Sequence, residues 1–288
     1  MNNRYKPRDI SAVSFPVTAK NTRNAKNHPS VELGACTPSQ LINYAGINTK
    51  GILCIIGNHS RGISFLTPMI RRSMKPFLII GPESDKNSAF MTLQPKWTMD
   101  SVQADLPSGS GAIFLSTPYS SYMELCEYFE KWSKKYFIIL HLSGGVQVGP
   151  ELLNLLNATE QCAILCDSVP QGIRNSESRT ISAKEFMSQM SYLLVNSAGV
   201  ATKDLIEILP TYQYEKVSNT MNVNSYTGRA FFHPFRGHKG FGSSVGQTRT
   251  IDYKKSLFEM DELQRIFNDG TSLLYDANNN VVFLAQIT

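Results

Sequence analysis

The stretch Gly51-Ile-Leu-Cys-Ile-Ile-Gly-Asn-His-Ser-Arg-Gly-Ile-Ser64 decides the fold class. Its first six residues form a continuous apolar run of strand length. Two glycines then enclose a short polar loop, and the pattern after the loop predicts a helix over residues 63–74. A buried strand, a loop and a helix in this order are typical of α/β proteins with a parallel sheet.

The same alternation continues along the chain. Further strands are predicted at 77–80, 112–116, 137–142, 162–166 and 192–195. Helices are predicted at 37–46, 121–134, 149–157, 183–190 and 204–209. This order predicts an α/β fold with a mostly parallel sheet and helices on both faces. Ligands of such sheets gather at the carboxyl ends of the strands.

The chain divides into three predicted parts. Residues 1–30 form a basic arm with six Lys and Arg against one acid, and a short strand is expected at 12–17. Residues 31–215 form the α/β domain. Residues 216–288 form an irregular C-terminal extension packed on the same domain, with a helix at 261–267 and a hairpin from 273–275 and 281–285.

Composition excludes several classes of protein. The 288 residues carry a net charge of +5, which is too modest to indicate a polyanionic partner. The five cysteines form no CxxC pair, so we expect buried free thiols, with Cys162 and Cys166 on one strand face, and no disulfide or zinc site. No apolar run is long enough to span a membrane, and no signal peptide is evident. We expect a cytoplasmic protein, with the inner face of the membrane as an alternative.

The loop after the first strand fits G-x-x-x-x-G-K-[ST] at Gly57, Gly62 and Ser64. In a working P-loop, backbone amides and a helix N-terminus bind the phosphates, and the lysine adds a positive charge. Ile63 occupies the lysine position, and Arg61 is the nearest basic residue that could compensate. The alternative is a tight turn between strand and helix with no ligand.

Several later segments, in this order, resemble the MinD/ParA group of P-loop ATPases, including its pilus- and secretion-associated members. They resemble its second strand, the connection after it, its Walker B strand and the strand end that contacts adenine. The segments are Lys75-Pro-Phe-Leu-Ile-Ile-Gly-Pro-Glu-Ser84, Thr98-Met-Asp-Ser-Val-Gln-Ala-Asp-Leu-Pro-Ser108, Tyr136-Phe-Ile-Ile-Leu-His-Leu-Ser-Gly-Gly145 and Leu193-Leu-Val-Asn196.

The resemblance also implies that the catalytic positions are altered. Asn58 and Ile63 stand where the group has lysines, while Gly81 and His141 stand where it has aspartates. Phosphoryl transfer depends on such positioned charges, so we predict a pseudo-ATPase with no catalytic residue and no metal site. ATP or ADP would bind weakly or not at all. The candidate nucleotide-binding residues are Gly57, Arg61, Gly62, Ser64 and Asn196.

Two other arrangements are candidates. His141 and Asp167 follow predicted strands and could serve hydrolysis with Ser143 as nucleophile, although a buried, hydrogen-bonded histidine is the simpler interpretation. Residues 225–242 interleave basic and aromatic side chains and could bind a partner, or could fold back onto the sheet. The partner-binding candidates are Arg229, Phe232, Phe235, Arg236 and Lys239.

These observations predict a non-catalytic regulatory or scaffold protein that binds a protein partner. The resemblance implies an active ATPase paralogue, a homodimer, or a secretion, pilus or envelope assembly as that partner. One alternative is an active ATPase with an atypical P-loop. Another is a nucleic-acid-binding module that uses the basic arm and the aromatic loop, although nucleic acid and anionic membranes are not the favoured partners.

Overall fold

The structure is a computed structural model of the chain. It describes residues 25–26, 30–47, 51–82, 85, 89–101, 106, 112–116, 122–142, 147–148, 156, 159, 161–169, 171–172, 185, 187–196, 202–220 and 247–287. The strands are β1 (Ala25–Lys26), β2 (Ser30–Cys36), β3 (Gly51–Ile56), β4 (Phe77–Gly81), β5 (Trp97–Met99), β6 (Ile113–Ser116), β7 (Phe137–Leu142), β8 (Gln147–Val148), β9 (Gln161–Cys166), β10 (Gln171–Gly172), β11 (Tyr192–Val195), β12 (Thr211–Thr220), β13 (Gln247–Ser256), β14 (Thr271–Asp276) and β15 (Val281–Ile287).

Five α-helices are delimited among the described residues. They are α1 (Pro38–Tyr44), α2 (His59–Ser73), α3 (Tyr122–Lys135), α4 (Thr202–Ile208) and α5 (Met260–Asn268), and a 3₁₀ helix covers Ala89–Leu93. The start of α1 is set by a capping box, because Thr37 accepts from the amide of Gln40 and the Gln40 side chain accepts from the amide of Thr37.

Ten strands form the main sheet in the order β2-β15-β14-β11-β3-β9-β7-β4-β6-β5. The seven strands from β11 to β5 run parallel to one another. β14 pairs antiparallel with both β11 and β15, and β15 runs parallel to β2. This mostly parallel α/β sheet confirms the predicted fold class.

The core lies on both faces of the sheet, because successive strand residues point to opposite sides. On one face Ile52, Cys54 and Ile56 of β3 belong to a cluster with residues of α3, α4 and α5. On the other face Leu53 and Ile55 belong to a cluster with residues of α1 and α2. The face covered by α1 and α2 is called the α2 face below.

Most predicted elements are confirmed to within two residues, but α2 begins at His59 instead of residue 63. The loop between β3 and α2 is therefore only Gly57 and Asn58. The paired strands β12 and β13, to which β1 adds antiparallel, were not predicted. Of the predicted helix at 149–157 only Leu156 is described, and the predicted strand at 12–17 lies outside the described residues.

The predicted C-terminal hairpin is confirmed as β14 and β15, and it belongs to the main sheet itself. Cys36, Cys54, Cys162 and Cys166 are buried and free, and Cys162 and Cys166 lie in the same core cluster as predicted. Among the described residues, no helix combines the length and the hydrophobicity that crossing a bilayer requires.

Candidate functional site

The turn between β3 and α2 is held closed by two asparagines. Asn58 is the N-cap of α2, and its side chain accepts a hydrogen bond from the amide of Arg61. The amide of Asn58 donates to Asn196 Oδ1 at 2.7 Å, and Asn196 Nδ2 donates back to the Asn58 carbonyl at 3.3 Å. Asn196 directly follows β11, so this pair ties α2 to the neighbouring strand end.

The predicted nucleotide-binding residues lie around this turn, and their hydrogen bonds go mainly to Asn58, to α2 and to the neighbouring strand ends. Gly62 donates its amide to the Asn58 carbonyl, and the Ser64 hydroxyl donates to the Ser60 carbonyl of its own helix. Arg61 Nη1 lies 3.5 Å from the Asn196 carbonyl. The amides of Arg61 and Gly62 are therefore used within the turn instead of facing a loop that could cradle phosphates.

Ile63, at the position of the P-loop lysine, points into the protein core. It is only 5% exposed and packs in the core of the α2 face. Helical spacing explains this orientation, because Ile63 and Leu66 are three residues apart on the side of α2 that covers the sheet. A lysine here would have to place its charge in an apolar core.

Gly81 ends β4 and leaves room for a carboxylate. A Cβ added at Gly81 would overlap Asp85 Oδ2 and would lie 3.4 Å from the Cβ of His141. Asp85 is buried, and its amide donates to the Pro82 carbonyl in the turn that follows β4. An acid is thus present near this strand end, but Asp85 supplies it four residues after the position that the resemblance indicated.

His141 lies near the end of β7 and points toward α2. Phe137 and Ile139 belong to the cluster on the α2 face, and strand alternation places His141 on the same side. Its Nδ1 contacts the Asp85 carboxylate, and the ring is 2% exposed. Because a carboxylate only accepts, Nδ1 donates in this contact, and Nε2 is the ring nitrogen that faces His59 and Asp167.

His59 and Asp167 complete a cluster around that nitrogen. His59 Nε2, from the first turn of α2, lies 3.1 Å from His141 Nε2 and 2.5 Å from Asp167 Oδ1. Asp167 directly follows β9, the strand between β3 and β7, and its Oδ1 lies 3.9 Å from His141 Nε2. His59 is 25% exposed and Asp167 is 40% exposed, so the cluster reaches solvent on their side.

Burial and the neighbouring His141 keep His59 neutral more readily than an exposed histidine. Burial lowers the pKa of His59 and the neighbouring His141 lowers it further, whereas the carboxylates of Asp167 and Asp85 oppose the shift. Phe90, from the 3₁₀ helix, is fully buried with its ring centroid 5.0 Å from that of His141 and 5.8 Å from that of His59. The inner wall of the cluster is therefore apolar.

The four side chains have the chemistry of metal ligands or of proton transfer. The ligand atoms of His59, His141 and Asp167 all lie within 4.8 Å of one another. No metal site was predicted from the sequence, and that prediction did not consider His59 as a neighbour of His141 and Asp167. His141 is buried and hydrogen-bonded to Asp85, as the simpler interpretation held. In the alternative His141–Asp167 pair the atoms lie 3.9 Å apart, and Ser143 lies outside the described residues.

His59 and Asp85 were not predicted as site residues. A signal for the location of the cluster was present in the sequence. His141, Asp167 and Asn196 each lie at the carboxyl end of an apolar run, on the side of their strands that the described structure places under α2. The partner-binding candidates at 229–239 lie outside the described residues.

Comparisons with known proteins identify no family to which this chain belongs. No protein-family model and no curated protein matches the chain. One solved structure that matches is the genome packaging NTPase B204 from Sulfolobus turreted icosahedral virus 2 in complex with AMP. The match covers 84% of this chain and 100% of that chain at 12% identity, with a TM-score of 0.45. A likeness of this strength establishes neither a shared function nor a shared ligand.

Proposed function

We propose that this protein is a regulatory or scaffold protein that does not hydrolyse nucleotides and acts by binding a protein partner. The observation that carries the proposal is the closed turn at Asn58, which Asn196 bonds on both its amide and its carbonyl. A phosphate-binding loop works by directing free amides at its ligand. Here the amides of Asn58, Arg61 and Gly62 already have partners within the protein.

The charges around the turn support the same conclusion. Phosphoryl transfer requires a cation at the phosphates and carboxylates that hold magnesium. Ile63 occupies the position of the lysine that would supply this cation, and its side chain is buried in the core. His141 supplies an imidazole where the resemblance implied an aspartate, and imidazole is a poor ligand for Mg²⁺, which prefers oxygen.

The proposal of a protein partner rests on the sequence and on one described surface. Trp97 of β5 is 53% exposed, and among the described residues β5 is the last strand at its end of the main sheet. Met91, in the 3₁₀ helix that precedes β5, is a second exposed apolar side chain. Exposed strand edges and tryptophans are favoured sites of protein association. A second copy of the chain or an active ATPase paralogue are the proposed occupants, and the relation to the MinD/ParA group rests on the sequence segments alone.

An active ATPase with an atypical P-loop is the competing proposal. It depends on Arg61 replacing the lysine, and Arg61 Nη1 currently lies near the Asn196 carbonyl. The decisive experiment is a titration of ATP and ADP into the purified full chain, with and without Mg²⁺, together with a phosphate-release assay. We expect no turnover, and we expect Ser64→Ala to change nothing because the Ser64 hydroxyl bonds to its own helix. Multiple turnovers that disappear in Ser64→Ala would refute the proposal.

Partner binding needs its own test. Light scattering of the purified chain over a range of concentrations measures self-association, and Trp97→Ala tests the β5 edge. Retained association in Trp97→Ala would exclude this edge as the dimer surface. Binding to nucleic acid that weakens steeply with added salt would instead favour the nucleic-acid module.

A further inference from the structure

Three donor atoms of the cluster already have nearly the spacing of a metal site. In a tetrahedral site with metal–ligand distances of about 2.0–2.2 Å, neighbouring ligand atoms lie about 3.3–3.6 Å apart. The three distances among His59 Nε2, His141 Nε2 and Asp167 Oδ1 are 3.1, 2.5 and 3.9 Å. Each distance needs to change by less than about 1 Å to surround an ion with this geometry.

His141 is already oriented as a metal ligand would be. Its Nδ1 donates to Asp85, which fixes the ring orientation and directs Nε2 at His59 and Asp167. Metal-binding histidines in proteins are oriented by carboxylates in this way. Burial of His141 and Asp85 and the packing of Phe90 against the ring prevent His141 from turning away.

The backbone around the cluster is fixed by regular structure. His141 belongs to β7, Asp167 directly follows β9, and these two strands are parallel neighbours. His59 lies in the first turn of α2, whose start is held by the Asn58 cap. The donors therefore come from three separate elements whose positions are set before any ion binds, which is the condition for a specific site.

We propose that His59, His141 and Asp167 bind one divalent transition-metal ion, with Zn²⁺ as the best match and Asp85 as a positioning residue. Two imidazole nitrogens and one carboxylate suit Zn²⁺ and the neighbouring transition metals, and they do not suit Mg²⁺. Three protein ligands leave a fourth position for water or a substrate. The exposure of Asp167 and His59 places that position on the solvent side. The proposal goes beyond the function proposed above and does not depend on it.

Metal binding is tested on the full chain after treatment with a chelator. Zn²⁺, Co²⁺ and Mg²⁺ are titrated separately, with Co²⁺ serving as a spectroscopic probe because its visible absorption reports tetrahedral coordination. We expect one equivalent of Zn²⁺ or Co²⁺ to bind, and Mg²⁺ at the same concentration not to bind. His59→Ala and Asp167→Asn should each lower the affinity at least about 100-fold, and Asp85→Asn should lower it about 10–100-fold.

The control is Asp269→Asn, which removes an exposed carboxylate just before β14, three strands away from β9. Its metal affinity should equal that of the unsubstituted chain. Circular dichroism of each metal-free variant establishes that it is folded, and the ion should raise the melting temperature of the native chain but not of Asp167→Asn. Absence of Zn²⁺ and Co²⁺ binding, or binding that survives both His59→Ala and Asp167→Asn, would overturn the proposal. Neither result would depend on whether the chain binds nucleotide.

Discussion

Substitution of Gly81 by alanine probes the contact between Asp85 and His141. The added Cβ would overlap Asp85 Oδ2, and it would lie at ordinary contact distance, 3.4 Å, from the His141 Cβ. Asp85 is buried, so its carboxylate has little space to retreat. Gly81 does not have the left-handed conformation that favours glycine, so the expected effect comes from the crowded carboxylate and not from backbone strain.

The magnitude follows from three contributions. Crowding in a packed site destabilises by about 1–3 kcal/mol. Displacing Asp85 from His141 weakens a buried hydrogen bond to a charged group, which contributes about 1.5–3 kcal/mol. Replacing glycine by alanine restricts the unfolded chain and offsets about 0.4–1 kcal/mol. We expect Gly81→Ala to lower the free energy of unfolding by about 2–4 kcal/mol.

The assay is urea denaturation of four chains: the native chain, Gly81→Ala, Asp85→Ala and the double variant. Without the Asp85 carboxylate, the alanine at 81 meets only the His141 Cβ, so its effect should fall below about 1 kcal/mol. The two substitutions should therefore be coupled by at least about 1 kcal/mol. An equal loss of stability in both backgrounds would show that the effect of Gly81→Ala does not come from crowding of the Asp85 carboxylate.

Three further predictions concern the closed turn and the core. Ile63→Lys should destabilise the chain by at least about 3 kcal/mol without creating ATPase activity, because the new charge enters an apolar core. Asn196→Ala should destabilise by about 1–3 kcal/mol because it leaves the amide of Asn58 without its bond, and urea denaturation measures the loss. Burial raises the pKa of Cys36 to about 11, so the thiolate is scarce at pH 8 and a thiol reagent should modify this residue only on unfolding.

Each of these predictions has a matched control. Ser64→Lys places the same charge at the next, exposed position and should be tolerated. Asn268→Ala removes an exposed asparagine at the end of α5 and should leave stability unchanged within about 0.5 kcal/mol. Thiol modification is measured in a Cys126→Ser background, so that the signal comes from the four buried cysteines alone. Phosphate release by Ile63→Lys, or rapid native-state modification of Cys36, would contradict the corresponding argument.

The parallel sheet was predictable because its strands are continuous apolar runs in the sequence. β3, β7 and β11 begin and end at the residues that the sequence indicated. The start of α2 was not predicted, because Gly57 and Gly62 favoured a long loop. Local hydrogen bonding decided otherwise: Asn58 caps the helix, and Gly62 is accommodated inside it against Ile55.

The cluster could be predicted only in part, because it depends on strand order. His141 and Asp167 were recognised as strand-end residues, but nothing local specifies that β7 and β9 are neighbours. His59 was assigned to a loop, and a loop assignment does not predict the direction of a side chain. In the structure His59 is the first residue of α2, which fixes that direction. Asp85 pairs with a residue far along the chain, and such contacts follow from tertiary structure and not from spacing.

The edge formed by β2 and β15 has a consequence for biosynthesis. Ser30 is aligned with Val281 and Cys36 with Ile287, so β2 finds its partner about 250 residues later along the chain. While the ribosome is still translating the intervening residues, this early segment has no strand to join. The edge must therefore assemble late, after residues 281–287 have been translated.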